Sequence, residues 1–200
     1  RYVCDFHIHS KYSRATSRDM EPEMLAFWAG IKGINVLGTG DFTHPLWIKE
    51  LKEKLEPAEN GLYKLKDSKV KLKLNNKVPE SFAFNFDQKI LEELRFILTA
   101  EISNIYSKGG KVRRVHNIIF APSFEEEKKI NLELEKIGNL HSDGRPILGL
   151  DSKELLKIIL NISDQAVLVP AHAWTPWFSI FGSKSGFDTI EECFDELAPH

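Results

Sequence analysis

Tyr2-Val3-Cys4-Asp5-Phe6-His7-Ile8-His9 is an apolar run ending on two histidines at alternate positions, just before a Ser/Arg-rich loop from Ser10 to Arg18. The run reads as a buried strand, and residues i and i+2 on a strand share a face. Both imidazoles therefore reach one spot, where the strand gives way to the loop. Neutral imidazole is a common metal ligand, and a paired placement at a strand end suits a catalytic metal site on a β/α barrel.

Outward from this run, strands and helices alternate, which predicts an α/β fold with a mainly parallel sheet. Pro22 to Gly30 reads as a helix with Met24, Leu25, Phe27 and Trp28 as its buried stripe. Ile34 to Asp41 is a second strand ending in an acid, and Trp47 to Leu55 is a lysine-rich helix. Arg95 to Ser103 is the third core strand. Ser107-Lys108-Gly109-Gly110-Lys111 has hairpin chemistry, so Lys111 to Pro122 returns beside it. Ser123-Phe124-Glu125-Glu126 is a capping box, and Asp151 opens a helix through Leu160. Ala166 to His172 is another strand, and Asp188 to Leu197 the last helix.

The 200 residues are one domain's worth. With 42% hydrophobic and 28% charged residues they have the composition of a soluble globular chain. No apolar run is long enough to span a membrane and no signal peptide precedes the first strand. Cys4 and Cys193 are too few for a disulfide framework, which with the absent leader gives a cytoplasmic expectation; both read as small buried residues. The net charge of -2 argues against a chain coated for nucleic acid. Local charge differs in a basic insertion at about 57–85. Between Asn60 and Val78, Lys64, Lys66, Lys69, Lys71, Lys73 and Lys77 face a single acid, Asp67, and Val70 to Leu74 alternates apolar and basic. The insertion reads as a lysine-blunted edge strand or as a phosphate-tracking face.

The polar residues at the strand ends form a set. Strand one gives His7 and His9, strand two Asp41 with His44 nearby, strand three Glu101, the hairpin return His116 and the last strand His172. In β/α barrels functional side chains gather at the C-terminal strand ends. A carboxylate inside an apolar run, as Glu101 is, is costly unless paired or metal-bound. His and carboxylate donors suit Zn²⁺, Mn²⁺ or Fe²⁺. Six candidate ligands exceed one tetrahedral site, so two or three divalent metals are expected, with Glu101 as the bridge. Clustered metals serve phosphoester cleavage, with Mg²⁺ as a further candidate for activity.

His7-Ile8-His9-Ser10, Gly40-Asp41, Glu101, His116 and Pro170-Ala171-His172 follow in order the motifs of the PHP (polymerase and histidinol phosphatase) family, which the chain resembles over essentially its whole length. Four longer strings resemble endonuclease Q and its bacterial relatives more narrowly: 7–13, 38–42, 145–151 and 170–177. The resemblance implies a distorted (β/α)₇ TIM-like barrel in one PHP domain, 1–200, incomplete at its C-terminal end. It implies a metal-dependent DNA endonuclease nicking 5′ to deaminated bases (uracil, hypoxanthine, xanthine) or abasic sites. His7, His9 and Glu101 would hold one metal and Glu101, His116 and His172 the second, with Asp41 a further ligand. Asp41, Glu101 and His172 are the candidate catalytic residues. The chain departs from the family in reading Asp41-Phe42 where Asp-His is common, and in lacking the late Asp-x-His motif. It is therefore expected to be an N-terminal portion, weakly active or inactive alone.

Arg14, Lys111, Arg113 and Trp174 are the candidate substrate contacts, the cations for phosphate and the indole for an extruded base. Three other readings compete: a PHP phosphatase acting on a small phosphomonoester, a metal-dependent amidohydrolase, and a metal- and DNA-binding domain without turnover.

Overall fold

The structure, a computed structural model, describes residues 1–66 and 89–200. Lys69, Lys71, Lys73, Lys77 and the alternating stretch 70–74 lie outside them. The order is β1 (Cys4–Asp5), α1 (Pro22–Ile31), β2 (Val36–Gly38), α2 (Pro45–Lys54), β3 (Leu55–Pro57), β4 (Tyr63–Leu65), α3 (Lys89–Glu93), β5 (Arg95–Lys108), β6 (Lys111–Ala121), α4 (Phe124–Glu135), β7 (Ile147–Leu148), α5 (Ser152–Ile162), β8 (Val167–Pro170), α6 (Ile190–Phe194) and a 3₁₀ turn, Asp195–Leu197.

The strands form one sheet curled into a half-barrel. β1, β2 and β5 run parallel, as do β5 and β7. β3–β4, β4–β5, β5–β6 and β6–β8 are antiparallel. The sheet is thus mixed, not mainly parallel. The cause is the two-residue Gly109-Gly110 turn: it folds β6 straight back along β5 from Lys108↔Lys111 to Leu98↔Ala121, with no crossover helix between them.

Helices cover the sheet through apolar faces. α1 begins at Pro22, a favoured first helical residue, and buries Leu25, Ala26, Phe27 and Ala29. α4 is capped by Ser123 Oγ, which accepts from the Glu125 and Glu126 amides, and α5 by Asp151, which accepts from the Lys153 amide. The core runs from Phe42, Trp47 and Leu51 through Leu98, Ile102 and Ile119 to Leu134 and Ile159.

Three expectations are corrected. The first strand is two residues long, with Tyr2 79% exposed, because β1 pairs with β2 alone among the described strands. Cys4 is exposed for the same reason, while Cys193 is buried. Trp28 lies at the margin of α1 and is only partly covered. Lys64 and Lys66 of the basic insertion are engaged locally: Lys64 pairs with Glu56, and Lys66 donates to the Lys52 and Glu53 carbonyls.

Candidate metal centre

Glu101 sits in the middle of β5 and is buried. It pairs across the hairpin with Ile118, and Ser103 pairs with His116, so Glu101 and His116 are diagonal neighbours on one face. His7 and His9 follow β1, and His172 follows β8 with φ of +33°. Such backbone is uncommon for a residue with a Cβ and marks a constrained position.

Four imidazoles meet this one carboxylate. Glu101 Oε2 faces His9 Nε2 at 3.1 Å and His7 Nε2 at 3.3 Å. Glu101 Oε1 faces His116 Nδ1 at 2.8 Å and His172 Nε2 at 3.3 Å. Each oxygen thus serves its own histidine pair. Donor atoms of His7, Glu101 and His172 all lie within 4.8 Å of one another. Burial alone would raise the Glu101 pKa, but hydrogen bonds from His116, His7 and His9 hold it well below the usual carboxylate range. A buried anion ringed by four borderline nitrogen donors fits divalent ions such as Zn²⁺, Mn²⁺ or Fe²⁺.

Asp41 stands one layer behind. Gly40 makes this possible: a Cβ there would lie 2.4 Å from the Ile8 carbonyl, so only glycine lets the end of β2 approach the histidine segment. The buried Trp47 indole pins that end by donating to the Thr39 and Gly40 carbonyls. Asp41 is fully buried. Its Oδ1 meets His9 Nδ1 at 2.9 Å, and its Oδ2 accepts from the Ser10 amide (2.6 Å), Ser10 Oγ (2.7 Å) and Ser13 Oγ (2.8 Å). With both oxygens occupied, Asp41 orients His9 and does not join the four imidazoles around Glu101. Burial would lower the His9 pKa, but hydrogen bonds to Asp41 and Glu101 raise it to about 9. His44 stacks on Tyr12 and stays outside the cluster; burial lowers its pKa.

Of the substrate contacts, Arg14 is largely exposed, 3.3 Å from Asp143. Trp174, two residues after His172, is 81% exposed, with its ring 6.0 Å from that of Phe181. Lys111 is exposed at the hairpin end. Arg113 is turned into its own fold: it donates to the Gly186 and Lys108 carbonyls and covers the Phe187 ring. Sequence reasoning missed Arg145, whose Nη1 lies 3.5 Å from Glu101 Oε2. Its loop is stitched down by the Ser103 amide to the Pro146 carbonyl and by the Gly144 amide to the Tyr12 carbonyl. The one hint in the sequence was an arginine fixed by a following proline within the 145–151 string.

The class the structure defines is a mixed α/β chain whose curled sheet carries a histidine–carboxylate cluster that could hold a metal ion. Within it, the chain has the fold of endonuclease Q. It matches the lesion-specific endonuclease PfuEndoQ of Pyrococcus furiosus with a TM-score of 0.73 and 26% identity, over 98% of this chain and 40% of that one. A structure of endonuclease Q with a 27-mer duplex bearing an abasic lesion at the active site matches with a TM-score of 0.73 and 28% identity, over 97% and 40%. An uncharacterised protein of Methanocaldococcus jannaschii, MJ0043, is 28% identical over 173 residues, 86% of this chain and 16% of that protein. The chain therefore spans well under half the length of these relatives. No family model matches it. Among the described residues, no helix is long and apolar enough to cross a membrane.

Proposed function

We propose that this chain carries the metal centre of a PHP-type DNA endonuclease that nicks 5′ to deaminated bases (uracil, hypoxanthine, xanthine) or abasic sites. The observation that carries the reading is the division of Glu101, with one carboxylate oxygen toward His7 and His9 and the other toward His116 and His172. The likeness to endonuclease Q, one structure of which holds a lesion duplex, supports the choice of substrate. In this reading the curled sheet belongs to a (β/α)₇-type barrel.

His7, His9 and Glu101 would hold one ion, and Glu101, His116 and His172 would hold the second. Zn²⁺, Mn²⁺, Fe²⁺ or Mg²⁺ bound there supplies a nucleophile at neutral pH and stabilises charge on the phosphate. Asp41 keeps a proton on His9 Nδ1, so that Nε2 presents its lone pair toward the centre. In this reading Arg14 and Arg145 serve as cations for the diester, and Trp174 offers a stacking face to an extruded base. Trp174→Ala should then weaken binding of lesion DNA more than it lowers the melting temperature; the reverse order would make the indole a packing residue. The 200 residues alone turn over weakly or not at all.

The test is a nicking assay on the native full-length chain, using end-labelled duplexes with one uracil, one hypoxanthine, one abasic site or none, in Mn²⁺, Mg²⁺ or Zn²⁺. A single nick 5′ to the lesion, lost in His9→Ala, is expected. Release of phosphate from small monoesters without a nick would overturn the nuclease reading in favour of a phosphatase.

A further inference from the structure

We propose that Arg114, held over the indole of Trp177, binds a backbone phosphate of the DNA strand entering the metal centre, and that Lys111 and Lys184 extend the same groove. The inference rests on the nuclease reading and adds a subsite to it.

Arg114 and His116 lie two residues apart on β6 and so share a face, with Arg114 roughly 7 Å further out along the strand. It is therefore placed for a phosphate beside the reacting one. Its backbone is fixed: the Arg114 amide donates to the Ser185 carbonyl (3.1 Å), and the Arg114 carbonyl accepts from Ser185 Oγ (3.2 Å). The guanidinium carbon sits 5.6 Å from the centre of the Trp177 ring. Stacking on an indole restrains a guanidinium and strips part of its hydration while leaving its donors free.

The next residue ties this pair to the metal centre. Phe178 packs its ring 4.7 Å from that of His116 and accepts the His116 amide at 3.0 Å. Its φ of +58° is strained backbone that a phenylalanine adopts only where its surroundings enforce it. Arg114, Trp177, Lys111 and Lys184 line a cavity of about 470 Å³, with Asp188 as its acid. No ion pair among the described residues involves Arg114, Lys111 or Lys184. Arg113, the neighbouring cation in the same cavity wall, is consumed by carbonyls and Phe187. A groove with three cations that form no ion pair among the described residues, beside a nuclease-type centre, matches the charge of a nucleic-acid strand.

The experiment measures binding of the native full-length chain to a labelled duplex with one abasic site, in EDTA so that no strand is cut, across a salt series. Removing one phosphate contact lowers the slope of log affinity against log salt by about one. The advantage of wild type over Arg114→Ala should therefore shrink about 3.5-fold between 50 and 200 mM salt. Arg114→Gln, which keeps a polar stem against Trp177, should lose the same slope, and Arg114→Lys should retain it. A wild-type slope in Arg114→Gln or Arg114→Ala overturns the proposal, and so does an equal loss of slope in Arg114→Lys. Nicking by the wild type with an unchanged Arg114→Gln slope sinks the subsite alone. DNA binding with the expected slopes but no nicking with any metal sinks the nuclease reading alone.

Discussion

Glu101 and Asp41 are both buried carboxylates, and their surroundings give them different work. Glu101 meets four imidazoles, whereas Asp41 meets one imidazole and three hydroxyl or amide donors. Asp41→Asn leaves the shape intact but can donate to His9 Nδ1, which favours the wrong tautomer. Metal affinity should fall about 10–100-fold with little loss of melting temperature, as read by metal-competition titration; unchanged affinity would remove the positioning role. The His9 pKa of about 9 in the metal-free chain has a consequence for stability. A folded pKa above the ordinary 6.5 means that His9 stabilises fully below pH 6.5, and that this is lost as pH rises toward 9. Glu101, held low, contributes above the ordinary carboxylate range and loses its contribution in acid. The metal-free melting temperature should therefore decline between pH 6.5 and 9, and saturating Mn²⁺ should flatten that decline because the ion replaces the proton. A pH-independent metal-free profile would contradict it.

Elements deliver these residues in two ways: His7, His9 and His172 follow the ends of β1 and β8, whereas Glu101 and His116 sit in the middle of β5 and β6. Gly144 lets the loop before β7 close on the site: a Cβ there would lie 2.3 Å from Asp41 Oδ2 and 2.4 Å from Ser13 Oγ. Gly144→Ala should displace Asp41 and lower metal affinity by about tenfold or more. Ser123→Ala, which removes the cap of α4, should cost about 1 kcal/mol and leave metal affinity alone. Titration and thermal melts of the two variants side by side distinguish them; loss of metal in both would mean general unfolding. Capping explains why the starts of α1, α4 and α5 were legible: Pro22, Ser123 and Asp151 act through their own chemistry. β1 was misjudged because apolar character does not say how many neighbours a strand has. β7 was invisible because two residues carry no periodicity.

Across the whole molecule, the sequence singled out His7, His9, Glu101, His116 and His172 as one set at strand ends; the sheet brings all five together, but Glu101 and His116 lie in the middle of the long β5–β6 hairpin, not at its ends. It could not show that Asp41 is filled by Ser10 and Ser13, because those contacts depend on how closely β2 approaches the first loop. Nor could it separate Arg113 from Arg114, since both line the same cavity and only their partners differ: Arg113 donates to the Lys108 and Gly186 carbonyls and covers Phe187, while Arg114 lies over Trp177. Charge makes the centre demanding as a unit. Glu101 and Asp41 bring two negative charges to a site expected to hold two dications, so an anionic ligand completes the balance. Loss of the Glu101 charge should remove both ions together. The deciding measurement is metal content by mass spectrometry after reconstitution of the native full-length chain and of Glu101→Gln. About two equivalents per wild-type chain and less than one in the variant is the expected result. A wild type that binds no divalent ion, or a variant that keeps the wild-type content, would contradict the bridged centre.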